Sequence, residues 1–248
     1  MSRSAIPEDT KQYVRQKCGF GCVVCGLPVF QYDHVHDYAD VQEHDPDNLV
    51  LLCATHHNEK TVGRLSREAV QKAAIAPINK TRLWTGSHPL HMVGTRGQFE
   101  IGTNIFEFDF GQTGENFEAI RILGQTIFGM HHENGHLLLD VVLSDRRGET
   151  ILKVERGELI ISTSVWDYKF EGRNLHIRSG ERQIELHLEL VKEGVRVTRG
   201  FVVGWQFGLA RPRWSAIQIS PDEVRILPNN SILKGGSVSG CRRGLVIN

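Results

Sequence analysis

The chain has 248 residues, enough for one large domain or two modest ones, and either can bury a real core. Its 29 Lys and Arg balance 29 Asp and Glu, so net charge alone singles out neither a nucleic-acid protein nor a membrane-surface one. The opening MSRSAIPEDTKQYV has no apolar signal-peptide core, and no apolar run approaches bilayer length, so a cytoplasmic protein with no membrane partner is expected. Four of the five cysteines crowd into residues 18–53, which suits a metal site in a reducing compartment better than a disulfide framework.

The first element is a short helix over residues 7–17, with Pro7 and two acids in its first turn, a terminal lysine and Gly19 beyond. GCVVCG follows, with Cys22 and Cys25 spaced C-x2-C between glycines. VFQYDHV, residues 29–35, is β-branched and aromatic enough for a strand and sets Asp33 beside His34. The run from Gln31 to Asp47 carries six acids and no Lys or Arg, and it reads mainly as a solvated loop. His36, Asp37, His44 and Asp45 add further ligand types to it. Asn48 stands at the end of this loop, before LVLL and a second pair, Cys53 and His56, spaced C-x2-H. A further helix opens at Ser66 with Glu68 in its first turn.

Two such pairs supply four soft or borderline ligands, the number a closed tetrahedral zinc site takes. Cys18 fits the spacing poorly and reads as packing, and Cys241 lies far away. If Cys53 and His56 open a helix they face one side, three residues apart. His57 is then turned by about 100° and serves something else.

The order C-x2-C, Asp-His on a strand, Asn in a loop and C-x2-H-H-x2-K-T closely resembles the zinc-bearing branch of the HNH endonucleases. The resembling positions are His34, Asn48 and His57 within residues 22–61, and the likeness covers roughly residues 7–75. Many members of that branch have cysteine where this chain has His56. The resemblance implies a ββα-metal fold gripping one catalytic divalent ion, and DNA as partner. It makes His34 the candidate general base and Asp33 and His57 the candidate ligands of Mg2+ or Mn2+. Asn48 either completes that shell or holds the loop so that His34 faces the attacking water. Cys22, Cys25, Cys53 and His56 are left to a structural zinc.

Lys60, Arg64, Arg67, Lys72, Lys80, Arg82 and Arg96 form a basic flank over residues 60–96. Lys60, Arg64 and Arg67 are the candidates for tracking a phosphate backbone irrespective of sequence. Residues 76–96, with Pro77, Gly86, Pro89 and Gly94, read as a linker or irregular wrap, and Trp84 as an apolar anchor. From 97 to 248 the pattern is β almost throughout. HLLLDVVLSD, TILKVE, LIISTSV, RNLHIRS, QIELHLELV and VRVTRGFVVGW are separated by turns such as Asn134-Gly135, Arg147-Gly148 and Glu171-Gly172. HHENGH is expected to be a hairpin with exposed histidines, and Trp166, Tyr168 and Phe170 one face of a core strand.

The expected fold is therefore α+β. An HNH nuclease domain (1–75) with structural zinc leads through 76–96 to a β-rich domain (97–248): a sandwich, barrel or roll, with a solenoid left open. That domain is expected to target, sense or oligomerise, a homo-oligomer being one outcome, or to hold the nuclease in check as a defence or restriction effector would. The alternative is a zinc-dependent nucleic-acid-binding module without catalysis.

Overall fold

The computed structural model describes residues 5–206 and 213–248. The chain forms two compact units. The first takes the residues up to His88 together with Ile160–Tyr168, and the second takes Pro89–Leu159 and Lys169–Asn248. Among the described residues no helix is long and apolar enough to cross a membrane.

In the first unit, α1 spans Glu8–Lys17. Glu8 and Asp9 lie in its first turn and Arg15 and Lys17 in its last, which suits the helix dipole at both ends. β1 (Gln31–His34) pairs antiparallel with β2 (Leu49–Leu52), opposing Asp33 to Val50 and His34 to Leu49. A four-residue helical turn, α2 (Tyr38–Val41), lies in the connection between them. The hairpin is followed by α3 (Ala54–Thr61) and α4 (Arg67–Ile75), whose Ser66 hydroxyl accepts from Ala69 N at 3.2 Å. All four β2 residues are fully buried, against Val14 of α1, Val70 of α4, Val23 and Val35. Each such side chain contributes about 1.5–3 kcal/mol by leaving water, so β2 is the spine of the unit.

Asn79 holds the loop that carries Cys22 and Cys25. It is buried in a short 3-10 turn, Ile78–Thr81, and its Nδ2 donates to Gly19 O and Gly26 O, both at 3.0 Å. Gly26 has a left-handed φ of +82°, and a Cβ there would stand 2.3 Å from Asn79 Oδ1. Glycine is therefore required by both backbone and space. The stretch read as linker thus contributes a residue that braces the cysteine loop.

Ile160–Tyr168 forms a strap within the first unit. Arg15, 1% exposed, clamps Asp167 in a two-pronged pair, Nε to Oδ1 at 2.8 Å and Nη2 to Oδ2 at 2.9 Å. Its Nη1 donates to Tyr32 Oη at 2.7 Å. Gln16 Nε2 donates to Trp166 O at 2.8 Å, and Thr85 N to Ile161 O at 2.9 Å. Phe30 meets the buried Tyr168 edge-on, ring centroids 6.3 Å apart. The strand face expected from Trp166, Tyr168 and Phe170 has Tyr168 fully buried, while Trp166 and Phe170 are only half-buried. Asp167, which the alternation turns outward, is buried on Arg15.

The second unit is β-rich, with two mixed sheets that share the strand Gly194–Gln206. The first part of that strand pairs antiparallel with Gln183–Val191 and parallel with Arg96–Ile101; the second part pairs with Arg213–Ile219. Where the parallel strands meet, a Cβ on Gly97 would stand 1.8 Å from Glu193 O, and one on Gly194 1.9 Å from Gln98 O, so the approach depends on both glycines. Asn134-Gly135 turns Gln125–Glu133 into His136–Ser144 as the sequence suggests. The hairpin's His131 lies between Asn116 Oδ1 and Asp140 Oδ2, and among the described residues it joins no second metal cluster.

His176 and His187 oppose each other across two strands of this unit, with ring centroids 4.3 Å apart. Burial pushes both below the ordinary histidine value. His187, Arg178 and Lys169 add to this at His176 and Arg199 at His187, while the carboxylates of Glu171 and Glu189 oppose it without reversing it. A folded pKa below the unfolded one means that the unfolded chain takes up protons first as pH falls. The second unit should therefore lose stability as pH drops through about 6.5. Replacing both histidines with Gln should flatten that dependence in melting curves recorded between neutral and mildly acidic pH.

Candidate metal centre and active site

Cys22 and Cys25 come from the glycine-flanked loop, Cys53 is the N-cap of α3, and His56 is in the first turn of that helix. Their four ligand atoms lie within 4.8 Å of one another. His56 Nδ1 is 3.2 Å from Cys53 Sγ and 3.5 Å from Cys22 Sγ, and the Cys25 and Cys53 sulfurs are 3.8 Å apart. A tetrahedron with zinc–sulfur bonds of about 2.3 Å has sulfur–sulfur edges of about 3.8 Å, so the donor set and its spacing fit one zinc ion. The Cys25 thiol and the backbone amides of Cys53, Cys25 and Val24 draw Cys22 below the ordinary thiol range against its burial, and the same contact pushes Cys25 up, so the pair shares one proton between its sulfurs. Glu59 Oε2 stands 4.0 Å from His56 Nε2, where it can steady the ring with Nδ1 turned to the metal. Cys18 is outside the cluster; burial pushes its thiol up to about 11, which keeps it a packed thiol.

One residue further along α3 the direction changes. His57 Nε2 faces Asp33 Oδ1 on β1 at 3.8 Å. The two histidines of the His-His pair therefore point at different groups, His56 at three sulfurs and His57 at a carboxylate. Two ligands at about 2.1 Å from one octahedral cation stand about 3.0 Å apart when adjacent and about 4.2 Å when opposite. The observed 3.8 Å matches neither spacing, so the two groups face each other as an imidazole–carboxylate pair whose side chains would have to shift slightly to share one such ion.

Lys60, one helical turn beyond His57, lies on the same face of α3. Its ammonium is 2.8 Å from Asp33 Oδ2 and donates to His34 O at 2.5 Å, with only 12% of the side chain exposed. It is built into the site rather than extended to solvent, as the sequence reading had it. Arg67 pairs with Asp37 at 3.0 Å, and Arg64 is exposed. Asp33, Asp37, Lys60, Thr61, Ser66 and Arg67 line a polar cleft of about 470 Å³.

His34 follows Asp33 on β1 and is buried, its Nε2 facing His44 Nδ1 at 3.2 Å. Asn48 makes two hydrogen bonds to the backbone of His36: Oδ1 accepts from its N–H at 2.7 Å and Nδ2 donates to its C=O at 2.9 Å. Its side-chain amide is thus committed to the loop backbone at His36.

Residues 22–63 match the HNH endonuclease family model. The HNH match begins at the first zinc-type cysteine, includes Asp33, His34, Asn48, His56, His57 and Lys60, and stops before Arg64. It points to a nuclease or nucleic-acid-binding role for this part of the chain. No curated protein and no solved structure matches.

Sequence reasoning missed two contributors, and it gave a third, Lys60, to the phosphate backbone. Asn79 sits in a stretch with no periodicity, and Asp167 lies 152 residues from Arg15. Lys60 did carry a signal, because the i, i+3 spacing from His57 puts both on one helical face.

Proposed function

We propose that the first unit is a metal-dependent endonuclease that hydrolyses DNA phosphodiester bonds. What carries this reading is the split of adjacent histidines: His56 belongs to a four-ligand zinc cluster, while His57 faces Asp33 beside His34. A structural zinc cluster alone would give no reason for a second imidazole–carboxylate pair at its edge.

Asp33 and His57 are the residues that would hold Mg2+ or Mn2+, and such an ion would stabilise charge on the phosphate and on the leaving oxygen. His34 receives a proton from the attacking water while the water oxygen forms the new P–O bond. The opposite P–O bond breaks, and its electron pair leaves on the sugar oxygen, which takes a proton from solvent. Lys60 ties Asp33 Oδ2 to the backbone of His34, so the carboxylate and the base are held together. Arg64 is exposed and suited to contact the DNA backbone.

Plasmid DNA is the direct test. Cleavage should switch on with Mg2+ or Mn2+ and stop when EDTA removes that ion, before the structural zinc is lost. Full activity in stringently chelated buffer would remove the catalytic cation. The second reading, nucleic-acid binding without hydrolysis, draws on the Lys60 ammonium, which already neutralises Asp33. It would gain if the zinc-loaded protein bound DNA but left it intact with either cation.

A further inference from the structure

His34 is enclosed by two aromatic rings from the loop between β1 and β2. Its Nε2 and His44 Nδ1 are 3.2 Å apart, with ring centroids at 5.2 Å. Tyr38 meets His34 edge-on at 5.3 Å and stacks on His44 at 4.9 Å, with planes 25° apart. His34 is only 3% exposed, so its ring cannot turn without displacing these neighbours. The loop is pinned at its base by the two hydrogen bonds from Asn48 to His36.

Two facing imidazole nitrogens at this distance share one proton. If His44 donated it, His34 would carry its own proton on Nδ1, and neither of its nitrogens could accept another. If His34 donates from Nε2, the lone pair on Nδ1 is the one that takes the proton of the water. The second arrangement is the one a general base requires.

We propose that His44, backed by Tyr38, is a positioning residue that receives the Nε2–H of His34 and fixes the rotamer and tautomer in which His34 acts. This rests on the nuclease reading of the site. His44 does not touch the reacting atoms, and it stands in an acidic loop where a histidine otherwise reads as solvated surface.

The test uses full-length, zinc-loaded protein labelled with 15N. Long-range proton–nitrogen spectra report the tautomer of His34, and plasmid cleavage with Mg2+ gives kcat and KM. Wild type should show His34 protonated on Nε2. His44→Ala should lose that single tautomer and lower kcat at least about tenfold, with KM, zinc content and melting little changed. His44→Asn, which restores a hydrogen-bond acceptor, should recover much of the loss. Should the alanine variant unfold, His44→Phe keeps the stack on Tyr38, removes the acceptor and should show the same fall in kcat. The proposal is overturned if His34 is protonated on Nδ1 in wild type, or if removing the acceptor changes neither tautomer nor kcat. A wild type that shows the tautomer, loses it in His44→Ala and yet cleaves nothing supports the ring clamp and removes the nuclease reading instead.

Discussion

His57→Ala should keep its zinc and its melting temperature while losing most DNA cleavage, whereas its neighbour His56→Ala should lose zinc and the fold of the first unit. The difference comes from where the rings point. His56 Nδ1 lies 3.2–3.5 Å from two of the three sulfurs. Structural zinc in small motifs contributes about 10–16 kcal/mol, which is folding free energy, so removing one of four ligands weakens the unit at its centre. His57 lies outside that shell, facing Asp33. Its removal leaves the zinc set complete and, on the proposed reading, takes away one of the two protein ligands of the divalent ion. His34→Ala should keep more of the divalent ion than His57→Ala, with a loss of about 10²- to 10⁴-fold from the missing base, and should melt somewhat earlier because it empties a buried ring site. His56→Cys should retain both zinc and activity, since a thiolate satisfies the same tetrahedral position. Zinc stoichiometry, thermal melting and plasmid cleavage on all four variants check these expectations. The division of labour fails if His56→Ala and His57→Ala behave alike in all three.

The second large effect lies far from the metals. Asp167→Ala should destabilise the first unit by up to about 3 kcal/mol, because it leaves the buried Arg15 guanidinium with the half-exposed Glu8 carboxylate, 3.2 Å away, as its remaining ionic partner. Arg15 and Asp167 side chains are 1% and 2% exposed, and Asp167 takes two of the arginine's donors. The double variant Arg15→Met with Asp167→Leu should be much less harmful than Asp167→Ala, because no buried charge is left behind and Glu8, half-exposed, is solvated by water. A fragment ending at residue 96 removes Asp167 along with the rest of the strap. It should therefore be less stable than the first unit in the whole chain, however complete its zinc site. Urea melts of the single and double variants, followed through Trp84 or Trp166 fluorescence, measure this. Equal destabilisation by the double variant and by Asp167→Ala alone would show that the pair is not the cause.

The zinc cluster and the divergence of His56 from His57 were legible because both depend on local spacing. Two knuckles and a helical turn of about 100° per residue fix which side chains converge, whatever the rest of the chain does. The β1 strand was equally readable from its branched and aromatic residues. What could not be read was long-range. Nothing near Asp167 marks it as the partner of Arg15, and alternation along its strand argues for the opposite orientation. The parallel pairing of Arg96–Ile101 with Gly194–Gln206 leaves no local signal, because turn residues report only hairpin neighbours. Lys60 was read as a DNA contact from its place in a basic run; its ion pair with the partly buried Asp33 carries no local signal beyond the shared helical face with His57. Asn79 was hidden because a residue bracing two backbone carbonyls has no characteristic spacing.

The most direct measurement is Mn2+ binding to the zinc-loaded protein by electron paramagnetic resonance, compared among wild type, Asp33→Ala, His57→Ala and His56→Cys. One Mn2+ per chain is expected in wild type and in His56→Cys, with zinc retained in all four proteins. Asp33→Ala and His57→Ala should bind Mn2+ far more weakly. Mn2+ binding that survives both substitutions, or that occurs only as zinc leaves the cysteine cluster, would contradict a separate cation site at Asp33 and His57.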